Sequence, residues 1–113
     1  MKKILLLSLA VMALFGASAQ TPEWRKQLDR LDKEADQLYE EKKWKKLVAN
    51  QEQYRKVFMS LPDSVRQEHF WSTDLSGNYY YNLACWKTLA GDKKGALKTF
   101  EYYTDRVTYN EEI

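Results

Sequence analysis

One histidine, one cysteine and sixteen acidic residues are the groups in this 113-residue chain that could carry chemistry. His69 follows Glu68, but a zinc-binding helix needs a second histidine one turn away, and the sequence has none. Cys85 with His69 would make a thiol and imidazole pair, the nucleophile-and-base arrangement of a thiol hydrolase, yet neither residue sits in a signature of that kind. The pattern instead makes His69 a surface or packing residue of a short helix. Cys85 reads as a small buried apolar group beside Leu83 and Trp86, with an intermolecular disulfide or a reactive thiol as its other roles. Gly77, Gly91 and Gly95 do not combine into a phosphate loop. The expectation is a non-catalytic chain without a metal or cofactor. One acidic group stands apart: Asp29, Asp32 and Asp36, at spacings of three and four, share one side of a helix. That row would attract a basic or amine-bearing partner. With Arg25, Lys26 and Lys33 close by, it also fits an ordinary solvated face.

Helices must position these residues. The composition is rich in Trp and Tyr and low in Gly and Pro, which favours helix over sheet. Thr21-Pro22-Glu23 reads as a helix start, with a hydroxyl cap followed by proline and an acid. Trp24, Leu28, Leu31, Ala35 and Leu38 follow at helical spacing, widened by Tyr39. The stripe breaks at Glu41-Lys42-Lys43 and resumes out of phase with Trp44, Leu47, Val48, Gln51, Tyr54, Val57, Phe58 and Leu61, which predicts two helices. Lys42 to Lys46 is the one basic cluster and reads as a solvated helix start. Pro62-Asp63-Ser64 ends the second helix and caps a short third one over about 65–71. After a polar connection, Ser76 or Asn78 caps a fourth helix carrying Tyr79, Tyr80, Leu83, Ala84, Trp86 and Ala90. Of the consecutive Tyr79, Tyr80 and Tyr81, at least one must stay partly exposed. Gly91 stops this helix and Asp92 caps a fifth, with Ala96, Leu97, Phe100, Tyr103 and Val107 as its apolar stripe. Only Gly-Asp separates the last two stripes, so they must fold back antiparallel, with Ala84 and Ala96 small where the helices approach.

The first residues set the compartment. Met1-Lys2-Lys3, an apolar run from Ile4 to Ala17 and then Ala17-Ser18-Ala19 form a secretory signal peptide, residues 1–19, with cleavage before Gln20. The run is short for a membrane span, so no membrane attachment is expected after cleavage, and the leader is of a bacterial periplasmic or secreted kind. Removing Lys2 and Lys3 from the 18 basic residues leaves 16 against 16 acidic ones. A neutral mature chain offers no electrostatic case for nucleic acid. A lone cysteine in an exported chain cannot form an internal disulfide, so residues 20–113 must hold together as one small domain by helix packing.

The stretch around the glycine–aspartate corner resembles a unit of the tetratricopeptide repeat family. Leu83-Ala84, Gly91-Asp92, Ala96 and Phe100 match that unit in register over about 77–110. A second, weaker match covers about 28–61, where Ala35 fits the small position but Leu47, Gln51 and Lys42 stand where Ala, an aromatic and Gly are common. Ala35 and Ala84 are 49 residues apart, against a repeat of 34, so about 15 residues would be inserted near 59–76. The resemblance implies an all-α, TPR-like domain of about five helices in antiparallel hairpins. It also implies a binding face formed by the first helix of each hairpin: Asn78, Tyr81, Cys85 and Thr88 on one, Asp29, Asp32, Asp36 and Tyr39 on the other. The function it implies is an exported interaction module for a peptide or partner protein. Two other readings stay open. The chain would also fit the N-terminal, helical accessory part of a larger exported enzyme such as a hydrolase. It would equally fit a self-associating protein or homodimer, since four tryptophans are many large rings for so small a core.

Overall fold

A computed structural model describes residues 21–111. The expected leader and the side chain of Val107 lie outside what is described. Among the described residues the chain is all-α, with no strand. The five helices among these residues are α1 (Glu23–Glu40), α2 (Trp44–Ser60), α3 (Asp63–Phe70), α4 (Gly77–Leu89) and α5 (Lys93–Glu111). α1 pairs with α2, α4 pairs with α5, and the two hairpins meet through α2 and α4.

Both hairpins turn by the same device. At the end of α4, Gly91 N–H bonds Thr88 C=O at 3.0 Å and Asp92 N–H bonds Lys87 C=O at 2.8 Å. These two bonds satisfy carbonyls that a helix end leaves free, and they require a left-handed residue after the cap. Gly91 supplies it with φ +88°. At the end of α1, Lys42 N–H bonds Tyr39 C=O at 3.1 Å and Lys43 N–H bonds Leu38 C=O at 2.9 Å. Here the left-handed residue is Lys42, φ 57°, so the corner forms without glycine and bears the strain of a Cβ in that region. Asp92 then caps α5 as expected, its Oδ1 accepting from Gly95 N–H at 2.9 Å. Ser76, rather than Asn78, caps α4 through Tyr79 N–H.

Two helix starts differ from expectation. Thr21 does not cap α1; Pro22 holds the cap position with φ −58° and no side-chain bond, and Glu23 opens the helix. α3 likewise begins after Pro62 and covers Asp63–Phe70, two residues earlier than expected at its start and one at its end. In both cases the fixed proline φ sets the entry angle.

The core confirms the helical stripes of α1, α2 and α4 more fully than that of α5. Leu28, Leu47 and Phe58 are fully enclosed, and Leu31, Leu61, Tyr80, Leu83, Ala84 and Ala96 are buried around them. Ala84 and Ala96 are thus both interior, as small residues at the α4/α5 approach should be. Buried polar residues tie each hairpin across its middle. Asn50 Nδ2 donates to Leu31 C=O at 3.1 Å, and Lys87 Nζ donates to Thr99 Oγ1 at 2.9 Å. Thr99 stands 49 residues after Asn50, as Gly91 does after Lys42, so the recurrence extends from the corner into the core.

The extra segment between the hairpins closes the base of the first. Phe70 of α3 packs edge-on against Phe58, ring centroids 4.9 Å apart, and lies 5.8 Å from Trp24. Arg66 is buried, bonded to Thr73 C=O and Asp63 and facing the Phe58 ring. It fastens α3 to the end of α2. Its Nε is buried and has no partner among the described residues, which nothing in their packing explains.

Candidate functional site

The eight residues expected to form a binding face are all exposed. On α1, Asp29, Asp32 and Asp36 form the anticipated acidic row. Although the residue as a whole is exposed, partial desolvation against the helix surface raises the Asp32 carboxyl above the ordinary aspartate range, and repulsion from Asp29 and Asp36 raises it further. Tyr39 closes the row by packing edge-on against Trp44 at 5.8 Å and against Trp86 of α4 at 6.4 Å. That contact brings the C-terminal ends of α1 and α4 together.

On α4 the face leads into a groove. Tyr81, Cys85 and Thr88 line one wall and Lys93, Leu97 and Phe100 of α5 the other, over a floor of Ala84 and Ala96. The groove encloses about 490 Å³. Asn78 is exposed at the start of α4 and is not part of this lining. Two sequence expectations are corrected here. Leu97 is 62% exposed and Phe100 43%, so the α5 stripe is not a core stripe at these positions. Cys85 is exposed rather than buried. The physical reason is common to both: among the described residues α5 packs chiefly against α4, and helix periodicity marks an apolar side without supplying the element that covers it.

The groove has a filled counterpart on the first hairpin. There α4 itself lies against α2. Tyr79 Oη donates to Gln51 C=O, its ring stacks at 6.4 Å on Tyr54, and Tyr80 Oη accepts from Arg55 Nε at 3.2 Å. Burial raises the Tyr79 and Tyr80 hydroxyls well above the usual phenol range, which keeps both as neutral donors in this interface. Moving 49 residues along the chain carries Tyr39 to Thr88 and Gln51 to Phe100, both of which line the open groove. The opposite edge of the molecule differs. Where α4 presents Tyr79, Leu83 and Trp86, α1 has Arg30, Glu34 and Gln37, all exposed. One edge therefore ends in a polar face and the other in an apolar groove.

The thiol and imidazole do not meet. His69 packs edge-on against Trp24 at 5.2 Å, at the start of α1, while Cys85 faces the α4/α5 groove. Among the described residues no cluster of three or more His, Cys, Asp or Glu could hold a metal, and no helix is long and apolar enough to cross a membrane. No known protein family, no curated protein and no solved structure matches the chain.

Proposed function

We propose that this chain is a non-catalytic, exported protein-interaction module of TPR-like build, periplasmic or secreted, which binds a peptide or partner protein through its helical-repeat surface. The observation that carries the reading is the α4/α5 groove. It recurs, one repeat further on, at the place where the first hairpin holds α4. Small residues on its floor admit a close backbone, and Tyr81, Leu97 and Phe100 offer large apolar anchors on its walls. An amphipathic helix with an aromatic stripe like that of α4 fits such a seat by the helix-in-groove mode. The acidic row on α1 would attract basic residues flanking that helix. Screening by salt limits this contribution, so it acts on the rate of encounter more than on final affinity.

The test is an amide-resolved NMR titration of residues 20–113 with a helix-stapled peptide of residues 76–90 carrying Cys85→Ser. Saturable shifts centred on Tyr81, Thr88, Leu97 and Phe100, lost in the Leu97→Asp variant, are expected. Shifts scattered over the surface, or none, overturn the reading. Replacing Asp29, Asp32 and Asp36 with Asn should weaken a lysine-flanked version of the peptide and leave folding intact.

A further inference from the structure

A second cavity, of about 560 Å³, opens on the other side of α4, between α2 and α5. It exists because the hairpins meet through α2 and α4, which leaves α2 and α5 standing apart. Its wall chemistry is unlike that of the apolar groove. Among the described residues Arg55, Lys56, Lys87 and Lys98 line it, against the one carboxylate of Glu52. In a mature chain with equal numbers of acids and bases, this is a local concentration of positive charge.

The cations are held in different ways. Lys87 has only 13% of its side chain exposed, with Nζ 2.9 Å from Thr99 Oγ1 and 3.5 Å from Glu52 Oε1. It is a fixed charge at the cavity wall. Arg55 uses Nε on Tyr80 Oη, and its two terminal amino groups make no bond among the described residues. That planar fork matches the two oxygens of a carboxylate. Lys56 and Lys98 are exposed and make no ion pair among the described residues. The remaining wall is apolar and aromatic: Leu83, with Tyr80 and Tyr102, whose rings lie 4.7 Å apart. Asp74 accepts from both phenols and fixes them from behind. It takes back part of the positive field but presents no oxygen in the cavity lining.

We infer that the cavity between α2 and α5 binds a small organic acid carrying an aromatic or branched apolar group, its carboxylate on the Arg55 fork between Lys56 and Lys98 and its apolar part against Leu83, Tyr80 and Tyr102. A volume within the range of small-molecule sites favours a compact acid over an extended chain. The inference stands whether or not the α4/α5 groove docks a helix, because the two sites use different faces of α4 and α5.

The probe is 2-naphthoate, followed by isothermal titration at low ionic strength, with 2-naphthamide as the uncharged isostere and a blocked acidic pentapeptide as the macromolecular alternative. The acid should saturate with Kd below about 1 mM, and the amide should bind at least about tenfold more weakly. Lys56→Gln with Lys98→Gln changes only exposed side chains and should weaken the acid by about tenfold while leaving the helical circular dichroism unchanged. Arg55→Gln should weaken it further. Lys45→Gln with Lys46→Gln, which removes exposed cations outside the cavity, should have no effect. Equal binding of acid and amide, equal loss in both lysine pairs, or no saturable binding overturns the inference. Tighter binding of the pentapeptide than of the acid overturns the small-molecule assignment.

Discussion

Exchanging residues between the two corners isolates backbone strain from packing. Gly91 sits at φ +88° with nothing within 4 Å of where a Cβ would point, so Gly91→Ala creates no collision. Its effect is torsional. A side-chain-bearing residue in the left-handed region costs about 1–2 kcal/mol, and φ +88° is some way past the centre of that well, near +57°. Loss of glycine's unfolded-state freedom returns about 0.4–1 kcal/mol. The net expectation for Gly91→Ala is a destabilisation of about 1 kcal/mol, and more for the β-branched Val. Lys42, at φ 57°, lies at the centre of the well. Lys42→Gly removes the strain there and restores chain entropy, for a net gain of about 0.5 kcal/mol. In a domain of this size 1 kcal/mol moves Tm by about 4–8 °C. Thermal and urea unfolding of residues 20–113 should therefore separate the two variants by about 6 °C or more, with opposite signs relative to the parent. A neutral Gly91→Ala, or a Lys42→Gly that destabilises, would refute the claim that both corners turn on a left-handed residue.

Three further outcomes follow from burial, charge and capping. Leu47→Ala, at a side chain with 0% exposure, should cost about 2–5 kcal/mol in urea unfolding, whereas Leu97→Ala should stay within about 0.5 kcal/mol. Asp32 has a raised folded-state pKa, so its carboxyl favours folding while protonated and opposes it once pH rises through that value. Asp32→Asn should then stabilise the domain at neutral pH and lose the advantage near about pH 3, read from unfolding midpoints across pH. Asp92→Ala removes the α5 cap and should cost about 1 kcal/mol by the same denaturation assay.

What the sequence disclosed followed the range of the physics involved. The Gly91-Asp92 corner was legible because a left-handed glycine and a capping aspartate act within a few residues. The α1 stripe was legible because Leu28 and Leu31 repeat at the helix period. The Lys42 corner could be placed only from the change of phase, since the residue that takes the strained conformation is an ordinary lysine. Leu97 and Phe100 share the period of a core stripe, yet burial depends on a covering neighbour, and periodicity is silent on that. Asn50 and Thr99 look like surface residues in the sequence; they are interior because each finds its partner on the other helix of its hairpin. The eight residues expected to form a face were picked through the register of the resemblance, and the structure places all of them at the surface. The cation-lined cavity was missed, because Arg55, Lys87 and Lys98 come together only through the gap between α2 and α5.

The reactivity of Cys85 tests the central claim, an open apolar groove that repeats the seat of α4, most directly. An exposed thiol on the groove wall should react with Ellman's reagent in the native protein nearly as fast as in the urea-unfolded chain, and the stapled helix of residues 76–90 carrying Cys85→Ser should slow that reaction saturably. A native thiol strongly protected on its own, or one whose rate the helix leaves unchanged, would contradict it.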